Sequence, residues 1–223
     1  MKLLVVIPVF NEENSIKKVI NEWNLEIKKS KIKYKILIIN DGSTDGTQKI
    51  LEKIKTNKII IINNKNIGHG RSCIFGYLYS IKKGFTHVLQ IDGDGQCDPK
   101  FFKYLLKNIK YNSAIFGYRV LRDDGTYRKL FSRLMEILIM IKTLKFIKDP
   151  NSPYRLIKIN LLKKIIKKIP INVILANVYL TLEISKKTEI FYVPIRFNKR
   201  YFGKSKYNFL SMLKSLFNLL INI

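Results

Sequence analysis

The chain is short of cysteine, alanine and acid. Its 223 residues hold two cysteines (Cys73 and Cys97), two alanines (Ala114 and Ala176), and 16 Asp plus Glu against 42 Lys plus Arg, for a net charge of +26. Two cysteines without C-x-x-C spacing argue against a disulfide scaffold and a cysteine-based zinc site, and they point to a reducing compartment. His69 and His87 share no ligand spacing, so neither is counted as a metal ligand. No run reaches the ~20 consecutive apolar residues that cross a bilayer, and the sequence is expected to carry no membrane span. The apolar start, Met1 to Pro8, has no small-residue cleavage site and leads into helix-start chemistry, so it reads as a buried strand and not as a leader. The G-x-G-x-x-G fingerprint is missing after that strand, which argues against a nicotinamide or flavin Rossmann enzyme.

What is present is enough apolar material, 47% of residues, for one substantial core. The positive charge would suggest a nucleic acid partner, but 34 of the 42 basic residues are Lys. Lys, Ile and Asn share A/T-rich codons and are all abundant here, so base composition accounts for much of the excess. No helix-turn-helix, zinc-finger or RNA-recognition signature accompanies it, and nucleic acid is not an expected partner.

In the first half, short β-branched runs alternate with helical patterns, the rhythm of a mostly parallel sheet with helices on both faces. Strands are predicted at Lys2–Val9, Tyr34–Asn40, Lys58–Asn63, His87–Ile91 and Ala114–Tyr118. Helices are predicted at Ser15–Lys28, Asp45–Lys55, Gly70–Lys82 and Pro99–Lys110, the last capped by Asp98. Beyond Tyr118 the pattern changes. Arg119–Tyr127 reads as a polar turn, Phe131–Lys148 as a long apolar helix and Asp149–Pro153 as a break. Helices near Asn160–Lys168 and Val173–Lys186 and a strand at Glu189–Ile195 follow. Tyr207–Ile223 has polar and apolar helical faces and is expected to be an amphipathic helix.

An open α/β sheet binds ligands at the C-terminal ends of its strands, and four segments fall there. Pro8-Val9-Phe10-Asn11-Glu12 follows the first strand, where Asn11 and Glu12 serve equally well as helix caps. Asn40-Asp41-Gly42-Ser43-Thr44-Asp45-Gly46 sets a carboxylate in a tight turn, able to accept hydrogen bonds from a base or ribose. Gly68-His69-Gly70-Arg71 opens a helix with small residues that admit a diphosphate, with Arg71 able to face it. Asp92-Gly93-Asp94-Gly95-Gln96-Cys97-Asp98-Pro99 places two carboxylates one residue apart at a strand tip. Such a pair can grip a hard divalent cation jointly with diphosphate oxygens. A calcium loop of the EF-hand kind would need Gly and Glu where Cys97 and Lys103 stand.

Together with Gly117-Tyr118-Arg119, these segments resemble glycosyltransferase family 2 in order and spacing. Within it the chain is most similar to the dolichol-phosphate mannosyltransferase branch. Asp149 to Arg155 resembles that branch's D-x-x-S-G-F-R segment, and Val193-Pro194-Ile195 through Arg200, Gly203, Lys204, Ser205 and Lys206 resembles its V-P-V…R-x-x-G-x-S-K ending. The resemblance implies a GT-A fold, α/β and Rossmann-like, with a smaller C-terminal acceptor lobe. One domain would cover residues 1–206, with a nucleotide-sugar half at 1–120 and an acceptor half at 121–206, followed by the terminal helix 207–223. It implies inverting transfer from a nucleoside-diphosphate sugar with Mg2+ or Mn2+. Pro8, Val9, Glu12 and Asp41 would hold the nucleoside. Asp92, Asp94 and Gln96 would hold metal and diphosphate, and Arg119, Arg133 and Arg200 would contact phosphates of donor or acceptor. Arginine forks suit phosphate oxygens better than lysines do.

Two departures bear on the acceptor. Many members acting on sugar hydroxyls carry an E-D-x-x-L segment whose Asp is the base, and the nearest local match here is Ala176-Asn177-Val178-Tyr179-Leu180. Asn is no base, whereas a phosphate monoester with a second pKa near ~6 needs none. This favours a lipid-phosphate acceptor over a glycan hydroxyl. Asp149 stays open as a base at this level. Pro153-Tyr154 replaces the family's Gly-Phe. A lipid acceptor implies work at a membrane surface, peripheral on the cytoplasmic face, through the apolar helix, the terminal helix or both. Either helix can equally pack on the core.

Overall fold

The computed structural model describes residues 1–54, 56–123 and 125–202, together with 217, 218 and 221. Apart from those three positions, the expected terminal helix at 207–223 and the motif residues Gly203, Lys204, Ser205 and Lys206 lie outside the described residues.

The elements in chain order are β1 (Lys2–Val9), α1 (Ile16–Lys29), β2 (Lys33–Asn40), α2 (Thr47–Glu52), β3 (Ile59–Asn63), α3 (His69–Lys82), β4 (His87–Gln90), α4 (Phe102–Asn108), β5 (Ala114–Arg122), α5 (Thr126–Thr143), β6 (Arg155–Lys158), α6 (Ile159–Ile165), α7 (Ala176–Ser185) and β7 (Phe191–Phe197). They build a seven-stranded sheet in the order β3-β2-β1-β4-β6-β5-β7. It is parallel except at β6, which runs antiparallel to both β4 and β5. This is the expected α/β architecture.

The uninterrupted apolar run of β1 follows from its burial on both faces. Leu3, Val5, Ile7 and Val9 join the layer of α1 and α4, built around Trp23, Ile27, Phe102 and Leu105. Leu4 and Val6 join the opposite layer with Tyr77 of α3, Leu162 of α6 and Leu180 of α7. Each such side chain contributes about 1.5–3 kcal/mol when fully buried. A third cluster holds α5 to α7 through Phe131, Met135 and Ile139 against Val178 and Leu182. α7 is thus buried over most of its surface because it is covered from two sides.

Several boundaries differ from the periodicity. β5 continues to Arg122, since β7 pairs with it as far as Phe197, with a register shift between Arg119 and Leu121. The polar stretch after Tyr118 is therefore the end of a strand and the start of a helix. α5 begins at Thr126 behind Gly125 (φ 97°) and stops at Leu144, which is left-handed. The apolar pattern alone shifts this helix towards its C-terminus, because its first turn is polar. α7 starts at Ala176, three residues later than expected, and α2 is only six residues long. Four-residue β6 is too short to show alternation; its place between β4 and β5 is set by pairing on both sides.

Candidate active site

β1, β2 and β4 all end at one edge of the sheet, at Val9, Asn40 and Gln90, and antiparallel β6 starts there with Arg155 opposite Gln90. The loops that follow are tied to each other. The Asp41 carboxylate accepts backbone N–H bonds from Ile67 (2.7 Å) and Gly68 (2.9 Å), and the Asp41 N–H donates to the Val9 carbonyl at 2.8 Å. Asn11, at φ 54°, receives the Thr44 N–H on its side-chain oxygen at 2.8 Å. Glu12 is buried, accepts the Ser15 hydroxyl at 2.6 Å and donates its own N–H to Thr47 Oγ1 at 2.8 Å. Pro8 and Val9 lie under the Asp92-Gly93 tip, so close that a Cβ on Gly93 would stand 3.1 Å from Val9 Cγ2.

The two carboxylates of that tip differ. Asp94 is buried, and burial together with the neighbouring Asp92 pushes its pKa up to about 7, with Arg200 acting in the opposite sense. Its Oδ1 accepts the Gln96 N–H at 3.0 Å. Asp92 Oδ1 is buried without a hydrogen-bond partner. An orphaned, buried carboxylate oxygen costs about 1–3 kcal/mol or more unless a donor or cation meets it. Among the described residues no three His, Cys, Asp or Glu side chains form a closed metal cage. A pair of carboxylates fits a cation whose other ligands come from phosphate oxygens and water. His69, at the start of α3, has no ligand spacing in the sequence, yet its Nε2 stands 3.7 Å from Asp92 Oδ1.

Residues 198–202 close over this tip. Asn198 N–H donates to the Gln96 carbonyl at 3.0 Å, Gln96 Nε2 donates to the Asn198 carbonyl at 3.0 Å, and Tyr201 N–H donates to the Asp94 carbonyl at 3.1 Å. One of the two N–H donors of the Gln96 amide is used in this way, and its amide oxygen is the atom a metal could take. The Tyr201 ring lies on Gly95, which is at φ 80°, and a Cβ there would fall 2.3 Å from Tyr201 Cδ2. The Tyr201 hydroxyl donates to Glu22 at 2.8 Å. This seating delivers Arg200 to Glu12, with which it forms a hydrogen-bonded ion pair, and to Asp94 Oδ2 at 3.8 Å.

On the other side of the edge, Arg119 and Asp149 form a bidentate pair: Nε to Oδ2 at 2.7 Å and Nη2 to Oδ1 at 2.6 Å, with the Arg119 N–H donating to Oδ2 at 3.1 Å. Burial alone would raise the Asp149 pKa, but the Arg119 charge and hydrogen bonds hold it below the usual carboxylate value. Glu136 of α5 accepts the Asp149 N–H at 2.8 Å, and its own pKa is raised by burial. Arg155 is fully buried. It donates to the carbonyls of Pro150 (2.6 Å) and Asn177 (2.7 Å) and to Thr181 Oγ1 (2.7 Å), and burial lowers its pKa to about 10. It thereby fixes the 150–152 turn against the first turn of α7. Asn177 sits in that turn with its Oδ1 buried and unpaired.

Pro8, Val9, Glu12, Asp41, Asp92, Asp94, Gln96 and Arg200 are thus gathered at the ends of β1, β2 and β4. Arg119 and Asp149 lie together at the end of β5. Arg71 is exposed on the first turn of α3 and Arg133 is exposed on α5. Arg155, Tyr201, Glu136 and His69 are the further residues that shape the edge. Of these, Arg155 ends the Asp149–Arg155 segment and His69 stands in the Gly68–Arg71 turn, whereas Glu136 and Tyr201 leave no sequence signal.

Residues 4–169 match the model of Glycosyl transferase family 2. The uncharacterized protein MJ0544 of Methanocaldococcus jannaschii is 31% identical over 174 residues, 72% of this chain and 73% of its own. An undecaprenyl-phosphate 4-deoxy-4-formamido-L-arabinose transferase of Salmonella choleraesuis is 28% identical over 98% of this chain. The chain spans 66% of that relative's length, just under two thirds. Among solved structures, glucosyl-3-phosphoglycerate synthase of Mycobacterium tuberculosis superposes with a TM-score of 0.69 at 15% identity, over 99% of this chain and 80% of that one. The same enzyme with Mn2+, uridine diphosphate and phosphoglyceric acid gives 0.69 at 16% identity, over 99% and 76%.

Proposed function

Since this chain belongs to glycosyl transferase family 2 and is a glycosyltransferase, we propose that it moves a sugar, with inversion, from a nucleoside-diphosphate donor to a polyprenyl-type lipid phosphate. The observation that carries the donor half is the Asp92–Asp94 tip, with one buried carboxylate oxygen unpaired, beside the loops of Glu12 and Asp41. Asp92 and Asp94, with the Gln96 oxygen, would hold Mg2+ or Mn2+, which supplies positive charge to the diphosphate. The solved neighbour with bound Mn2+ and uridine diphosphate supports this reading. Residues 1–120 would supply most of the donor site and 121–206 most of the acceptor site, with Arg200 reaching back to the donor tip and Arg119 turned to the acceptor.

The chemistry is nucleophilic displacement at the anomeric carbon. An acceptor oxygen forms a new C–O bond while the bond to the diphosphate oxygen breaks, and negative charge grows on the departing diphosphate. Arg200 stands at the metal tip and can follow that charge. Preorganised donors of this kind act where charge develops. Arg119, held in one orientation by Asp149, and Arg133 on α5 would face the acceptor phosphate. Arg71 would face the donor diphosphate.

Asp149 gives both oxygens to Arg119 and has a lowered pKa, so it is a poor base. Asn177 is no base at all. An acceptor that arrives ionised, a phosphate monoester, suits this site better than a sugar hydroxyl. The undecaprenyl-phosphate transferases among the relatives support the same acceptor class. The enzyme would then work peripherally at the cytoplasmic face of a membrane, and among the described residues no helix is long and apolar enough to cross one. The test is transfer from radiolabelled nucleotide sugars to undecaprenyl phosphate with Mn2+ or Mg2+. Lipid-linked sugar at neutral pH is the expected product. Transfer only to a glycan hydroxyl, abolished in Asp149→Asn, would overturn the acceptor assignment.

A further inference from the structure

Among the described residues, only one of the two apolar faces of α5 is covered. Phe131, Met135 and Ile139 are buried against α7. On the outward side Tyr127, Leu130, Leu134, Ile137, Ile141 and Leu144 stand between 39% and 91% exposed. Their spacing of three and four residues keeps them on one stripe along a helix. At 1.5 Å per residue the 18-residue helix carries the stripe for about 27 Å. Single exposed apolar side chains are ordinary, but a continuous stripe of large ones marks an interaction surface.

The charges beside the stripe decide what it meets. Between Thr126 and Lys148 there are six basic residues and one acid, Glu136; Lys145 donates to the Ser185 carbonyl at 2.8 Å and Lys148 lies over the Tyr118 ring, so Lys129, Arg133 and Lys142 are the basic residues offered beside the stripe. A second copy of the chain docked stripe to stripe would bring like charges together, which disfavours that pairing. A negatively charged lipid surface takes both features, with apolar side chains entering the acyl boundary and lysine and arginine heads meeting the headgroups. The position agrees. α5 lies in the segment between Arg119 and Asp149, and their bidentate pair anchors both ends of that segment beside the catalytic edge.

We infer that the outward stripe of α5 is the docking face of this enzyme for an anionic lipid bilayer. This rests on the lipid-phosphate reading for its purpose, though its test does not. The full chain is mixed with phosphatidylcholine vesicles with or without 30% phosphatidylglycerol, at about the ionic strength where the Debye length is ~8 Å. The unaltered protein is expected to cosediment with the anionic vesicles at least tenfold more strongly. Leu134→Asp with Ile141→Asp should remove that binding at least tenfold with an unchanged or higher Tm, since both side chains are exposed. Lys129→Gln with Lys142→Gln should weaken it and flatten its salt dependence.

Equal vesicle binding by the aspartate variant overturns the proposal. So does a dimer in sedimentation velocity that the same two substitutions dissolve, because the stripe would then be a self-contact. Turnover separates the two readings. With docking correct and a lipid-phosphate acceptor, the aspartate variant keeps its rate on a short, water-soluble prenyl phosphate and loses it on long-chain lipid phosphate in vesicles. Vesicle binding that depends on α5, with no transfer to either phosphate, sustains the docking face and removes the acceptor assignment.

Discussion

The Arg119 guanidinium and the Asp149 carboxylate face each other fork to fork, at 2.6 and 2.7 Å, across the base of a segment that leaves the sheet at β5 and returns just before β6. The pair is almost wholly buried, and Asp149 is held at φ 44°, a conformation non-glycine residues seldom adopt. The surrounding bonds, from the Asp149 N–H to the Glu136 carboxylate and from the Ser152 N–H to the Asp149 carbonyl, stabilise it there.

Asp149→Asn should therefore register as a loss of stability. Removing one partner of a buried ion pair leaves the other charge uncompensated and costs about 3–5 kcal/mol. At roughly 2–4 °C per kcal/mol for a chain of this size, Tm by calorimetry is expected to fall by about 10 °C. Arg119→Ala combined with Asp149→Ala should cost clearly less than the sum of the two single changes. Additive losses would mean that the pair is not coupled.

Asp94→Asn should separate stability from activity. The raised pKa of Asp94 means that its ionised form is disfavoured in the folded chain. At pH 8, without metal or donor, the variant is expected to keep or modestly raise its Tm. Its turnover should fall by at least ~100-fold, the scale on which loss of one charge-stabilising group acts. Asp92→Asn should match it in turnover. Near-normal transfer by either variant would count against the carboxylate tip as the donor site.

Gly70→Ala tests how closely α3 approaches the loop before α7. A Cβ at that position would lie 2.2 Å from the Val173 carbonyl oxygen and 2.9 Å from that of Ile174. Backbone atoms yield less readily than side chains, and overpacking of this kind costs ~1–3 kcal/mol. A chemical-denaturation midpoint equal to that of the parent chain would show that the loop gives way freely.

His87 supplies a pH dependence with a defined sign. Burial first, then the Lys158 and N-terminal charges, lower its pKa from 6.5 to about 4. Between those values the unfolded chain takes up a proton that the folded chain refuses, so stability falls as pH drops from about 6.5 towards 4. Above 6.5 the group contributes no slope. The ring is partly exposed, which moderates the effect. His87→Gln should flatten this part of a Tm–pH profile, and an unchanged profile would assign the slope to other groups.

The strands of the first half were legible because burial on both faces writes an unbroken apolar run, as in Leu3 to Val9. The donor loops were legible because Asp41, Asp92 and Asp94 each follow such a run. The second half was harder to read. β6 has only Arg155 to Lys158 and owes its place to neighbours on both sides. The link between Arg200 and Asp94 spans 106 positions and depends on how Tyr201 seats on Gly95, which no local pattern records. Arg119 and Asp149 stood out singly, but only the returning chain makes them a pair and turns Asp149 from a candidate base into an anchor. In α5 the charged first turn hid the start of the helix, and its two apolar faces were indistinguishable until α7 covered one.

The position of β6 also bears on how the chain is made. β4 and β5 lie on either side of a strand that is synthesised after both of them. Until residue 158 has left the ribosome, each carries an open hydrogen-bonding edge lined by apolar residues, and such edges recruit other chains. A nascent chain that stalls or is truncated between residues 122 and 155 is left with the four-stranded β3-β2-β1-β4 sheet and a β5 that has neither of its partners. Insertion of the RLIK strand joins β5 to that sheet and closes the facing edges of β4 and β5 at once, and the outer edge of β5 is covered only when β7 follows.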